Sequence, residues 1–215
     1  MGKIKQGVLG GFSGTVGTVV GSIWNGICYM RGVAKSYKDK KSAKQVAQRT
    51  RFKACVKLAK SVISKLIRPI WNLSAEEMTG YNLFMKTNQS CFGPDGAIAD
   101  FENLKFSVGN LLLPGNIVVQ NDGTTAGAVR ITWQDNSGIE NADANDRLRV
   151  VYIAGGIVEV MEGLVFTRSE ELATIQLTGL SGQTVHFYVF FGDEESETFS
   201  ESFHAMVAIP VVPNN

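Results

Sequence analysis

The first 34 residues combine β-branched side chains with closely spaced glycines, a pattern typical of extended chain. Asn25-Gly26 is a strong hairpin signal because both residues tolerate a positive φ. We therefore expect Thr15–Trp24 to pair with Ile27–Gly32 as an N-terminal arm. A leader that becomes ordered only on contact is the alternative. The residues that would carry assembly through this arm are Val16, Val19, Val20, Ile23 and Trp24.

In residues 35–96 the apolar positions repeat with the period of an α-helix. Ser42 and Gln45 form a capping-box signature at the start of an amphipathic helix, and Pro69 should end or kink that helix. A second capping box at Ser74 and Glu77 predicts a shorter helix that begins there. Apolar residues recur every three or four positions through Phe52, Cys55, Val56, Ala59, Val62, Ile63, Leu66 and Ile70.

Residues 97–215 follow a turn-rich cluster, Gly93-Pro94-Asp95-Gly96, and read as short strands separated by turns. This rhythm predicts a β-sandwich. The fold class is therefore α+β, in three parts: an arm (1–34), a basic helical segment (35–96) and a sandwich (97–215). The predicted strands are 104–108, 117–120, 128–133, 147–154, 157–161, 173–177, 184–192 and 200–209.

The predicted strand Thr184–Gly192 is apolar on both faces, whereas a lone sandwich strand should alternate with polar residues. Its second face must be covered by the helical segment or by another subunit, or else form an adhesive patch. The candidates for such an exposed apolar face are Phe187, Val189 and Phe191.

Charge divides the chain into two parts. Residues 1–72 contain 15 of the 21 Lys and Arg residues but one of the 20 acids, Asp39. The basic candidates for an interface or for phosphate contacts are Arg49, Lys53, Lys57, Lys60 and Arg68. They could face the acidic sandwich of the same or a neighbouring copy, a nucleic acid, or another anionic surface.

No motif for catalysis, a metal, a cofactor or a small-molecule substrate is evident. The two histidines, His186 and His204, fall on predicted strands and are expected to be placed by packing. The odd number of cysteines predicts buried free thiols. No run of 18 apolar residues occurs. The start superficially resembles a signal peptide, but it lacks the compact apolar run and the A-x-A site of one, so we expect synthesis in the cytoplasm without a signal peptide.

Two stretches, Ala173–Leu180 and Thr184–Phe191, resemble strands E and F of a fibronectin type III domain. Ser200–Ser202 is similar to the start of its strand G, and Val129–Trp133 to its strand B with Trp133 in the core. His186 stands where that family has the tyrosine of its tyrosine corner, unless the register slips so that Tyr188 serves.

The opening GGFSGTVGTVVG at residues 10–21, followed by Trp24, Gly26 and Arg31, resembles an uncharacterised family of about 210 residues from Bacteroidota genomes. Residues 41–52 are partly similar to an element of phage and prophage structural proteins. These resemblances imply a phage or mobile-element context. Together with the charge division, the glycine-rich arm and the apolar strand Thr184–Gly192, they lead to the hypothesis of a non-enzymatic structural protein that self-assembles into oligomers through its N-terminal arm and basic helix, with a virion or appendage as the setting. A nucleic-acid-binding protein that uses the basic helix is the alternative.

Overall fold

The computed structural model describes residues 3–4, 10–34, 39–123, 127–193, 195 and 197–211. Contacts between residues divide the chain into two compact units, residues 1–41 and 42–215. Three predicted segments thus become two units, because the helices and the sandwich belong to the same one. The predicted boundary after residue 34 adjoins residues 35–38, which lie outside the described residues.

The first unit contains an antiparallel sheet with the strand order β1-β2-β3-β4. The predicted hairpin turn is confirmed: Asn25 and Gly26 have φ values of 47° and 81°, and Trp24 pairs with Ile27 across them. The predicted long strand is interrupted, however, because Gly17 with φ of 57° begins a second tight turn. The strands are Lys3–Ile4 (β1), Phe12–Val16 (β2), Val19–Trp24 (β3) and Ile27–Gly32 (β4).

The second unit begins with helix α1, Ala43–Ser61, whose predicted capping box is present. Ser42 Oγ accepts from the Gln45 backbone N–H (3.3 Å), and Gln45 Oε1 accepts from the Ser42 N–H (3.0 Å). A π-helical segment, Ile63–Trp71, follows and contains Pro69. Proline lacks the N–H that an α-helix needs at this point, and the helical path ends two residues later, as predicted.

The second helix does not begin at the Ser74 capping box, so that prediction is wrong. Helix α2 is Gly80–Asn88, and its N-cap is Thr79, whose Oγ1 accepts from the Asn82 N–H (3.3 Å). The Ser74 hydroxyl instead donates to the carbonyl of Val108 (3.2 Å). A tertiary hydrogen bond thus takes the side chain that the local motif needs.

Two facing sheets form the sandwich, and the fibronectin type III-like α+β class is confirmed. One sheet has the order β5-β6-β9; the other has the order β11-β10-β7-β8, with β12 also paired to β10. The last predicted strand, 200–209, begins later than expected, at Phe203, and the two-residue strand Thr198–Phe199 precedes it. The strands are Gly115–Asn121 (β5), Ala128–Gln134 (β6), Arg147–Ala154 (β7), Ile157–Val160 (β8), Leu172–Gln176 (β9), Thr184–Asp193 (β10), Thr198–Phe199 (β11) and Phe203–Ala208 (β12).

Strand β10 lies between two hydrophobic cores. Phe187, Val189 and Phe191 are fully buried in the core between the two sheets, so their prediction as an exposed face is wrong. On the other side, Tyr188 and Phe190 belong to a core shared with the helices. The helical segment therefore covers the second apolar face, and β10 offers no adhesive patch.

The segment predicted as strand 104–108 is irregular and is fastened to the helices by side chains. The Trp71 indole N–H donates to the carbonyl of Phe106 (2.9 Å). The Asn88 amide donates to the Lys105 carbonyl (2.9 Å) and accepts from its N–H (2.8 Å). Leu104 and Phe106 are fully buried. The alternating apolar residues that predicted a strand are therefore buried, but the segment does not pair with a sheet.

Candidate functional site

One face of α1 is strongly basic. Arg49, Lys53, Lys57 and Lys60 are exposed and recur at helical spacing, so they lie along one side of the helix. Lys53, Lys57 and Lys60 form no ion pair with any residue that the structure describes. Arg68 is also exposed but lies in the π-helical segment, outside this row.

Two further features of α1 bear on what its basic face could bind. The first turn of α1 carries no acidic residue, so the positive end of the helix dipole is not offset there. Val46 and Phe52 on the same helix are about half exposed, at 48% and 51%. The helix thus presents cations beside apolar side chains, which suits an anionic partner that also has an apolar surface.

The N-terminal sheet exposes large hydrophobic side chains. Of the predicted arm residues, Val16, Ile23 and Trp24 are exposed, Trp24 by 71%, whereas Val19 and Val20 are half-buried. Sequence reasoning missed the contribution of β4, in which all six residues are exposed. The most exposed of these are Ile27 (64%) and Met30 (70%).

The register distributes these apolar residues over both faces of the sheet. Residues paired across antiparallel strands share a face. The pairs Val16–Val19, Ile23–Cys28 and Gly21–Met30 therefore define one side. The Trp24–Ile27 pair lies on the other side.

Strand β4 is an edge strand, since among the described strands it pairs with β3 alone. A two-residue turn makes Trp24–Ile27 a hydrogen-bonded pair, and the Val33 N–H donates to the Thr18 carbonyl (2.8 Å). By alternation, the backbone N–H groups of Cys28, Met30 and Gly32 point away from β3. This edge strand has neither lysine nor proline, and Arg31 is its one charged residue, so charge can block pairing with another strand at a single position.

Both histidines lie together on the helix-facing side of the sheet. His186 Nδ1 and His204 Nε2 are 3.0 Å apart, and the Phe101 ring stacks on His186 with a centroid separation of 3.7 Å. Burial lowers the pKa of both imidazoles, and the neighbouring His186 lowers that of His204 further. The Tyr188 hydroxyl donates to the Phe101 carbonyl (2.9 Å), so it does not make the tyrosine corner of fibronectin type III domains.

The three cysteines are free thiols, as predicted, but they are not all buried. Burial raises the pKa of Cys55 to about 11, with a further contribution from the neighbouring Cys91. Cys28 is exposed on β4. Within the described part of the chain, no helix combines the length and the apolar character that crossing a membrane would need.

A family model described as a family of unknown function (DUF6266) matches residues 11–205. The chain belongs to this family. Its match includes the N-terminal sheet, the basic helix and most of the sandwich, so DUF6266 unites both compact units. No curated protein matches the chain.

Solved structures resemble this DUF6266 chain over about half its length. Domains FN1–FN3 of chicken CNTN1 are 14% identical with a TM-score of 0.39, covering 50% of this chain and 37% of that one. The fn3 domain of human contactin 1 is 11% identical with a TM-score of 0.32, covering 50% and 86%. A β-1,2-glucanase from Parabacteroides distasonis is 16% identical with a TM-score of 0.33, covering 51% and 14%.

Proposed function

We propose that this protein is a non-enzymatic structural protein that self-assembles through its N-terminal sheet. The observation that carries the proposal is the edge of β4, whose outward N–H groups and exposed apolar side chains suit addition of a strand from a second copy. A sheet that exposes apolar side chains on both faces is expected to gain free energy by burying them. The partial similarity of residues 41–52 to phage structural proteins supports a virion or appendage as the setting.

A second contact follows from the charge distribution. The basic face of α1 (Arg49, Lys53, Lys57 and Lys60) can meet an acidic surface of a neighbouring copy, because 19 of the 20 acidic residues lie after residue 72. Such contacts between exposed charges weaken as ionic strength rises. They would orient the copies, while the apolar sheet would supply most of the stabilisation.

Replacing Met30 with Lys tests the role of the β4 edge. The substitution places a charge where the added strand would lie, which should convert oligomers to monomers of 23.3 kDa. The mass of the full chain is measured by light scattering coupled to size exclusion over a range of concentrations.

The matched control is Met206→Lys. Met206 is 64% exposed, close to the 70% of Met30, but it lies on β12 of the other unit. This variant should keep the wild-type mass. A monomeric wild-type chain at every concentration, or Met30→Lys oligomers of wild-type size, would contradict self-assembly through this edge.

The alternative function, binding of nucleic acid, is favoured by Lys53, Lys57 and Lys60, which form no ion pair with any described residue. Phosphates would be bound through point charges along α1, so affinity should fall steeply with salt. Replacing Lys53 and Lys57 with Glu should weaken binding and reduce the slope of log affinity against log salt by about two.

Fluorescence anisotropy with labelled DNA and RNA at several salt concentrations measures that slope. The control is a Lys65→Glu, Lys86→Glu double variant, which changes net charge equally at exposed lysines outside the basic face. Equal slopes for the two double variants, or no binding at low salt, would exclude α1 as a nucleic-acid interface.

A further inference from the structure

A groove of about 650 Å³ opens on the second unit, beside the histidine pair. It runs between α1, residues 92–101 and the turn that joins β7 to β8, Gly155-Gly156. Its volume lies in the range of small-molecule sites in proteins. The functions proposed above use one of its lining residues, Lys57, and none of its apolar wall.

The walls of the groove are mainly apolar. They come from the helix, the loop and the sheet, through Leu58, Phe92, Ile98, Phe101, Ile153 and Val158. Leu58 and Ile153 are buried in the core beneath, so the walls are supported from behind by packed side chains. The apolar part of a small ligand can therefore bind between walls that the core packing already holds in place.

Among the described residues the groove has one cationic group, Lys57, whereas burial lowers the pKa of His186 and favours its neutral form. Lys57 and His186 line it, and no aspartate or glutamate does so among the described residues. Lys57 is exposed and forms no ion pair with any described residue, so its ammonium group is available at the rim. An anion is thus favoured here, whereas an ammonium compound would meet a like charge without a carboxylate to bind it.

His186 adds a directional hydrogen bond. Its Nδ1 is occupied by His204, so Nε2 is the nitrogen free to interact with a ligand. When His204 Nε2 carries its proton and donates to His186 Nδ1, the neutral His186 ring has its own proton on Nε2. A carboxylate oxygen would select this arrangement by accepting from that N–H.

We infer that this groove binds a monocarboxylate with a short apolar body, of the size of a medium-chain fatty acid. The carboxylate lies near Lys57 and His186, and the apolar body lies against Phe92, Phe101 and Leu58. Three elements supply the contacts, and each is placed by the shared core of the helices and the sheet.

Octanoate is the probe for the test, with octylamine as the matched ligand of opposite charge. The chain has two histidines, so the two imidazole Cε1–H signals in proton NMR report directly on the groove. Octanoate should shift the His186 signal saturably, and octylamine should leave it unchanged at the same concentrations.

Lys57→Glu should raise the dissociation constant for octanoate by about tenfold or more. The control is Lys60→Glu, which changes the same charge on the same helix at a residue that does not line the groove. It should leave octanoate binding near wild type. If about 10 mM octanoate produces no shift of the His186 signal, the Kd is weaker than a specific ligand would give, and the inference is overturned. Equal effects of the two variants, or equal binding of octylamine, would overturn it as well.

Discussion

Replacing Arg168 with Met is expected to lower the free energy of unfolding by about 3–5 kcal/mol, because it leaves Asp146 as an unpaired charge in the interior. Both side chains are almost completely buried, at 0% and 2% exposure. Arg168 Nε donates to Asp146 Oδ2 (2.9 Å), and Arg168 Nη2 lies 2.9 Å from the same oxygen in an ion pair. Removing the cation therefore leaves a buried carboxylate that has neither a counter-charge nor hydrating water.

The arginine also organises the surrounding loops. Its guanidinium donates to the Leu112 carbonyl (2.9 Å) and to the Asn136 amide oxygen, and it lies 5.1 Å from the centroid of the Phe191 ring. Its own carbonyl accepts from the Trp133 indole N–H (2.6 Å). These bonds join segments that are distant in sequence at one end of the sandwich.

Urea unfolding of the full chain measures the loss. Lys65→Met is the control, because Lys65 pairs with Glu162 at 3.4 Å while both side chains are exposed, at 40% and 69%. An ion pair that is open to solvent contributes only about 0–1 kcal/mol. If Arg168→Met costs no more than Lys65→Met, the buried pair does not have the role assigned to it.

Replacing Trp71 with Ala is expected to cost about 3–5 kcal/mol, since it opens a cavity beneath the helices. The side chain is fully buried, and its ring packs edge-on against Phe84 with centroids 4.9 Å apart. The substitution also removes the hydrogen bond from the indole N–H to Phe106 (2.9 Å). The loss combines apolar contact with an unsatisfied backbone carbonyl.

Two comparisons separate these contributions, again by urea unfolding. Trp71→Phe keeps most of the apolar contact and loses the hydrogen bond, so it should cost less than Trp71→Ala. Trp24→Ala removes an equally large side chain that is 71% exposed, and it should change stability by about 0.5 kcal/mol or less. Similar losses for Trp24→Ala and Trp71→Ala would contradict the burial argument.

Signals that act over a few residues were predicted well from the sequence. The Asn25-Gly26 turn and the Ser42 capping box depend on neighbouring backbone groups, and both form. The row of cations on α1 follows from helical spacing alone. Ser74 failed as a cap because its hydroxyl bonds to Val108, a partner that no local pattern reveals.

Features that depend on distant partners could not be predicted in the same way. The apolar character of β10 on both faces was recognised, but periodicity does not state which element covers a face. The Arg168–Asp146 pair joins residues 22 apart whose proximity requires the completed sandwich. The groove, likewise, exists only where the helix, a loop and a hairpin meet.

Strand β10 has consequences for how this family can change. Its residues from Phe187 to Phe191 are shared alternately between the two cores. A substitution in the three-stranded sheet changes the packing on one side of β10, and a substitution in α1 changes the packing on its other side. Substitutions in the helical part and in the sandwich therefore constrain each other through this one strand. Replacing either part with that of a relative would require side chains along β10 that fit both cores.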